Sequence, residues 1–445
     1  MRRVLVSPWA VVAALAALVC APVLTSASVG AWSIVSTPDA SGGAVGSHLE
    51  KVACVTAGDC WAAGFAETPD FATLMEHWDG TSWSVVATPD PGPPDQLNGV
   101  ACASATECWA VGAQANQQQT LIEEWNGAAW ASVTAPSPTA SILQGVACVS
   151  TADCWAVGFQ NSNAATLIEH WDGTAWTTTT SPNSTTPTNV LTAVACASAT
   201  ECWAVGTQTD QTLIEKWDGT AWSIVANTPN NTSSGVLFND LFDVTCASAT
   251  ECWTVGDAGD QSTINLTLVE RWDGSSWSLV SSPNASGTGS GGSYLNGVAC
   301  MSASACWGVG VGNGETLVEK WDGSAWSVVS SPNPAGATFG AELLGATCLP
   351  ATCWGVGDSF SNTATDTLAE EYTAPAAAAP TPTPTPSPTA GSTPSPTPAP
   401  SAAPISVPSA GAPPGTAATG PPVLLLAAGS AAGIAAALTR RRRRR

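Results

Sequence analysis

Positive charge is what this chain has least of. Of its 445 residues only 12 are lysine or arginine, against 34 aspartates and glutamates. Arg2 and Arg3 stand at one end and Arg440 to Arg445 at the other, so the body between them keeps only Lys51, Lys216, Arg271 and Lys320. All the acids fall in that body, which gives it a formal charge of 4 − 34 = −30. Such a surface repels phosphate backbones and anionic membranes, which excludes nucleic acid as a partner. Histidine is equally scarce: with only His48, His77 and His170, no metal centre is expected, and no other cofactor is implied. No nucleophile stands beside a base in a recognisable pattern. Helical periodicity is missing from the body as well.

What is present is a phrase. Cys-x5-Cys-Trp-Ala-Val-Gly, then Thr-Leu-Ile-Glu-x-Trp-Asp-Gly-x-x-Trp, recurs seven times in variant form, its first cysteines 46 to 54 residues apart. A period of that length belongs to propellers and solenoids. In the second copy, Leu97 to Cys102, Cys108 to Gly112, Thr120 to Trp125 and Trp130 to Val133 are four short apolar or β-branched runs separated by turn signals. Asn126-Gly127 reads as a tight hairpin turn with both residues at positive φ. Four such strands make one antiparallel propeller blade.

The ends of the repeat predict a closed ring. The seventh copy runs into a proline-rich tract after Tyr372, without its fourth strand. An orphan strand, Ala31-Trp32-Ser33-Ile34-Val35, precedes the first copy and matches Ala221-Trp222-Ser223-Ile224-Val225. The expectation is an all-β, seven-bladed β-propeller over 28–373, with 31–37 as the outer strand of blade 7. Blades are placed near 49–88, 97–135, 143–181, 191–228, 241–281, 295–331 and 343–372.

Fourteen of the fifteen cysteines fall into local pairs, one per copy. These are Cys54 and Cys60, Cys102 and Cys108, Cys148 and Cys154, Cys196 and Cys202, Cys246 and Cys252, Cys300 and Cys306, and Cys348 and Cys353. An even set in an exported chain implies disulfides. Each closes a loop worth about 2 kcal/mol on the loop-entropy model.

The recurring glutamate (Glu76, Glu123, Glu169, Glu215, Glu270, Glu319, Glu370) shares a strand face with Leu and Trp. It reads as a structural acceptor between blades, its donors including indole N–H groups. The tryptophans read as packing between blades, with sugar stacking as the alternative. Loops between the first and second strands, and between the third and fourth, are nearly constant and share one face. Loops on the other face vary, and binding residues favour variable loops on a rigid scaffold. The candidate ligand residues are therefore Asn231, Phe238, Asp257, Asp260 and Tyr294, with the blade 4–5 and 5–6 connections (Asn230 to Asp240, Ala285 to Ser293) most involved.

The flanks differ in kind. Residues 1–27 read as a secretory signal peptide; an uncleaved anchor, or a lipoprotein modified at Cys20, is the alternative. Residues 374–422 read as an extended Pro/Thr/Ser/Ala stalk. Residues 423–439 form an apolar anchor segment, and 440–445 a basic tail that stays on the cytoplasmic side of the membrane. The order of stalk, Ala417-Ala418-Thr419-Gly420, apolar run and arginines resembles the sorting signal of Gram-positive surface proteins, in its Leu-Ala-x-Thr-Gly variant, with Thr416 where leucine is usual. That resemblance implies sortase cleavage between Thr419 and Gly420 and attachment to peptidoglycan; a retained membrane anchor is the competing reading.

The body resembles exported bacterial propeller repeats of the Cys-Trp-Ala-Val-Gly … Trp-Asp-Gly-x-x-Trp kind. More distantly it is similar to Asp-box propellers of the sialidase type and to photosystem II assembly-factor propellers. Sialidase activity needs an arginine cluster, and the body has only Arg271. The function expected is non-enzymatic binding of a protein or glycan by a monomeric propeller displayed on a bacterial surface. The alternatives are a carbohydrate-active enzyme using carboxylates of the variable face, and a surface spacer with no specific ligand.

Overall fold

A computed structural model describes residues 30–375 apart from 39–45, 68–70, 92, 227, 261–264, 285–291 and 363. The leader, the stalk beyond residue 375, the apolar segment and the arginine tail, with Thr419 and Gly420, lie outside the described residues. The rest is a seven-bladed β-propeller of seven four-stranded antiparallel sheets, with no helix among the described residues.

Blade 2 shows how sequence becomes blade. Its strands are Gln96–Ser104, Glu107–Gln114, Gln119–Trp125 and Trp130–Ser132, hydrogen-bonded in chain order. The first strand is the innermost, and first strands of successive blades contact one another around the axis. Alternate residues point into the clefts between blades: Leu97, Val111, Ile122 and Trp130 are all buried. Seven hydrophobic clusters each join side chains of two adjacent blades, such as Trp61 and Met75 of blade 1 with Leu97, Leu121 and Trp130 of blade 2.

The ring closes through the orphan strand. Blade 7 contains Gly340–Leu349, Thr352–Phe360 and Thr365–Thr373, and Ala31–Val35 pairs antiparallel with the last of these, Trp32 opposite Tyr372. The inner strand of blade 1, Ser47–Thr56, then contacts Gly340–Leu349, so the N-terminal segment touches both sides of the seam. His48 bridges the same seam from blade 1, hydrogen-bonding Asp358 of blade 7 at 2.8 Å and Glu67 at 3.2 Å.

All seven cysteine pairs are disulfides. Cys102 and Cys108 face each other in register with Cα atoms 3.9 Å apart, nearer than the 4.5 to 5.5 Å of an ordinary ladder pair. Each cystine therefore staples the end of the innermost hairpin. The outer hairpin corrects the tight-turn expectation. Trp78 pairs with Trp83 across four residues, and of these Gly80, not Asp79, takes positive φ (92°). Asp79 instead accepts at Oδ1 from Thr81 N (2.8 Å), Thr81 Oγ1 (2.6 Å) and Ser82 N (2.9 Å). These bonds hold its carboxyl below the usual aspartate range. Asp is therefore selected as a side-chain cap of a longer turn, a role Asn126 fills in blade 2.

Candidate functional site

The site begins with an irregularity shared by all seven inner strands. In blade 2, Leu97 pairs with Gly112 and Gly99 with Val111, leaving Asn98 as an extra residue. The same one-residue bulge follows the corresponding leucine in every blade. It also explains the glycine ending Cys-Trp-Ala-Val-Gly: a Cβ built on Gly112 would lie 2.0 Å from the carbonyl oxygen of Gln96. A bulge re-aims the side chain at its crest. Here the crests are Glu50, Asn98, Gln144, Thr192, Phe242, Asn296 and Leu344, and all seven line one cavity of about 870 Å³.

That cavity is a funnel on the variable face, formed by the entering halves of the inner strands and the loops after the second strands. Its walls differ around the ring. Blades 2 to 4 contribute mainly neutral polar groups, including Gln96, Asn163, Thr188 and Thr209. Blades 5 to 7 contribute Phe242, Tyr294, Val311, Phe339, Leu344 and Phe360, with Phe339 69% exposed at the mouth. Four acids line it, Glu50, Asp210, Asp240 and Glu342, with one lysine, Lys51.

The crests also tie blades together. Asn98 Nδ2 donates to the Leu143 carbonyl (2.8 Å), Thr192 Oγ1 to the Leu241 carbonyl (2.8 Å) and Asn296 Nδ2 to the Leu343 carbonyl (2.9 Å), each in the next blade. Lys51 Nζ of blade 1 reaches Asp243 Oδ2 of blade 5 at 2.9 Å, an ion pair thrown across the ring. Asp243 also accepts from Val298 N of blade 6 at 3.1 Å. The rigid frame and its fixed polar groups make the funnel a pre-formed concave site of the size that ligands fill.

Of the five residues singled out from sequence, Tyr294 lines the funnel and donates to Glu342 at 3.3 Å. Phe238 and Asp257 are fully buried. The reason is strand length: the inner strand of blade 5 starts at Phe238, and its second strand, Glu251–Gly259, runs through Asp257, which pairs with Asp240 and Thr267. A segment read as loop is ladder. Asn231 is half-buried and serves its own loop, with Asn231 N donating to Asn239 Oδ1 (2.7 Å) and its Oδ1 accepting from Ser233 N. Asp260 is half-buried at the end of that second strand and does not line the funnel. Of the blade 5–6 connection, residues 285–291 lie outside the described set. The sequence signal that would have found the crests is the pair of residues flanking each inner-strand leucine: the one before it differs in all seven blades, and the one after it, the crest, repeats only Asn.

At the opposite end of the blades, the tryptophans pack between blades. Trp61 of blade 1 meets Trp125 (ring centroids 4.7 Å) and Trp130 (5.3 Å, edge-on) of blade 2, and equivalent triplets recur around the ring, Trp307 of blade 6 meeting Trp32 and Tyr372 of blade 7. The indole N–H groups of Trp78, Trp125, Trp171, Trp217 and Trp272 donate to carbonyls of the cystine loops, as Trp78 does to Ala57 (3.1 Å), and not to the recurring glutamates. The remaining cations sit over these rings: Lys216 over Trp203 at 4.6 Å, Arg271 over Trp253 at 5.4 Å and Lys320 over Trp307 at 5.0 Å.

The seven recurring glutamates are all fully buried. Where a neighbouring-blade donor is seen it is a hydroxyl: Ser181 to Glu215 (3.1 Å), Ser282 to Glu319, and Ser331 to Glu370 (2.7 Å). Burial pushes up the carboxyls of Glu123, Glu169 and Glu215, to about 8, and those of Glu319 and Glu370, to about 7.

Solved structures similar to this chain include two of YCF48. One is described as YCF48 bound to D1 peptide: 13% identity, TM-score 0.51, covering 79% of this chain and 100% of that one. The other is YCF48 from Cyanidioschyzon merolae: 14% identity, TM-score 0.51, covering 77% of this chain and 99% of that one. At such identity the likeness shows the propeller fold alone. No protein-family model and no curated protein matches the sequence.

Proposed function

We propose that this protein is a non-enzymatic binding propeller that holds a segment of another protein in the axial funnel of its variable face. One observation carries the reading. The repeat keeps its cystines, tryptophans and turns nearly constant, yet at the bulge crests it places Glu50, Asn98, Gln144, Thr192, Phe242, Asn296 and Leu344, and these converge on a single cavity. A scaffold with no ligand has no use for unlike residues at one converging position. A propeller of the same fold is described with a peptide bound, which supports a peptide over a glycan. The test is retention of the full chain on peptide and glycan arrays, repeated with Gln144→Trp, which places an indole in the funnel. Peptide binding lost in the variant is the expected result; binding confined to glycans, or indifferent to the variant, overturns the reading.

The same proposal has the propeller work as a monomer outside the cell, held at the surface by its C-terminal region. Seven cystines support this, since such bonds persist in oxidising compartments. The mass of the mature C-terminus distinguishes the two routes: a chain ending at Thr419 is joined to peptidoglycan, and one keeping Arg440 to Arg445 is membrane-anchored.

A further inference from the structure

Resting on the funnel reading above, we infer that the segment held there is anchored by an apolar side chain seated against blades 5 to 7, and that the peptide groups beside it are paired by the side-chain amides of Gln144 and Asn163 on blade 3. The two arcs of the ring differ in kind. Phe242, Val311, Phe339 and Leu344 line the funnel from blades 5 to 7. Val311 and Leu344 are buried and Phe339 is 69% exposed, so this arc joins apolar surface inside the frame to apolar surface at the mouth. Blade 3 stands across the axis from blades 6 and 7. Of the neutral polar crests, Asn98, Thr192 and Asn296 donate to carbonyls of the next blade. The Gln144 amide, which lines the same cavity, has no hydrogen-bond partner among the described residues.

Asn163 strengthens the case. It stands in the loop after the second strand of blade 3 with φ at 74°, and its backbone carbonyl accepts from Asn189 N at 2.8 Å. It is only 5% exposed and lines the funnel, yet its side-chain amide has no partner among the described residues. Buried polar groups are ordinarily hydrogen-bonded, so an amide left open toward a cavity is completed by what enters it. An amide offers a donor and an acceptor together, and a peptide group answers both. Charge does not select the occupant. Lys51 pairs with Asp243 at 2.9 Å, and Glu50, Asp210, Asp240 and Glu342 all have contacts within the protein. The open hydrogen-bonding capacity of Gln144 and Asn163 is, by contrast, neutral. Val311 and Leu344 have no hydrogen bonds to give the hydroxyls of a glycan, whereas an aliphatic or aromatic side chain removes their surface from water. The chain's own flanks do not lead to the funnel. Ala31 pairs with Thr373, and Ala374 N donates to the Ala351 carbonyl in the last cystine loop (3.0 Å), so both ends of the described propeller lie on the opposite face. The occupant comes from another protein.

The experiment is selection of a randomised heptapeptide phage library on the immobilised full chain, with Gln144→Trp protein as the counter-target and salt at about 0.15 M to screen exposed charges. Retained sequences are expected to share an aliphatic or aromatic residue at one position. In a synthetic retained peptide, serine at that position should weaken binding about tenfold, and so should Phe339→Ala in the protein. N-methylation of the adjacent peptide groups should weaken it about tenfold as well, and so should Asn163→Gly, which keeps the left-handed backbone. If Asn163→Gly disturbs folding, N-methylation tests the same bonds on unaltered protein. Retained peptides without a shared apolar residue, affinity unmoved by Phe339→Ala, or affinity unmoved by N-methylation overturn the inference while leaving the funnel reading intact. Binders indifferent to Gln144→Trp, or no binders at all, overturn both.

Discussion

Replacing Glu169 by glutamine should change how stability depends on pH more than it changes stability itself. Glu169 is fully buried in the third strand of blade 3, and burial pushes its carboxyl up to about 8. In the unfolded chain it titrates near 4.5. Between those values the folded state keeps the proton and the unfolded state has lost it. Folding then takes up one proton, and stability falls by about 1.4 kcal/mol per pH unit for this group. The contribution is fully favourable below the unfolded value and is lost as pH rises through the folded one. Glutamine has the shape of the protonated acid and does not titrate. From pH 5 to pH 7 the Glu169→Gln protein should therefore gain on the wild type by about 2 to 3 kcal/mol, whatever the offset at pH 5. Above about pH 8 the gap should stop widening, because the folded carboxyl ionises too. The assay is denaturant unfolding followed by tryptophan fluorescence at four pH values, with the disulfides intact. Parallel pH profiles for the two proteins would show that this carboxyl is ionised in the folded state, and the argument from burial would fail.

Three further outcomes follow from the same structure. Trp155→Ala removes the ring that meets Trp217 and Trp222 across the blade 3–4 boundary, and should cost about 3 to 5 kcal/mol in denaturant unfolding. Serine at both Cys102 and Cys108 should cost about 2 kcal/mol by the same measurement, with binding unchanged, since the staple lies at the end of the blade away from the funnel. Lys51→Met should destabilise by about 3 kcal/mol by stranding Asp243 in the ring, and Lys51→Met with Asp243→Leu should recover most of that loss in thermal melts.

Much of the fold was legible in sequence because its determinants are local and repeated. Each blade carries its own cystine, its own capped turn and its own alternation of buried and exposed residues, so one copy read well is seven copies read. Trp32 announced ring closure because a lone outer strand with no blade of its own has only the seam to join. The site was less legible. Phe238 and Asp257 look like loop residues, since polar and glycine-containing stretches suggest turns, yet backbone pairing with their neighbours carries them into the ladder. Glu50 and Asn98 look like ordinary inner-strand residues, and nothing in the alternation marks them as bulged.

The sequence by itself determined the seven blades, the staples, the seam and the negative charge of the body, because these rest on spacing, residue type and composition. Only the tertiary structure decided where that charge and the unlike residues converge. A bulge is a slip of register between two strands, visible only once they are paired, and a funnel exists only once seven such slips are arranged around one axis.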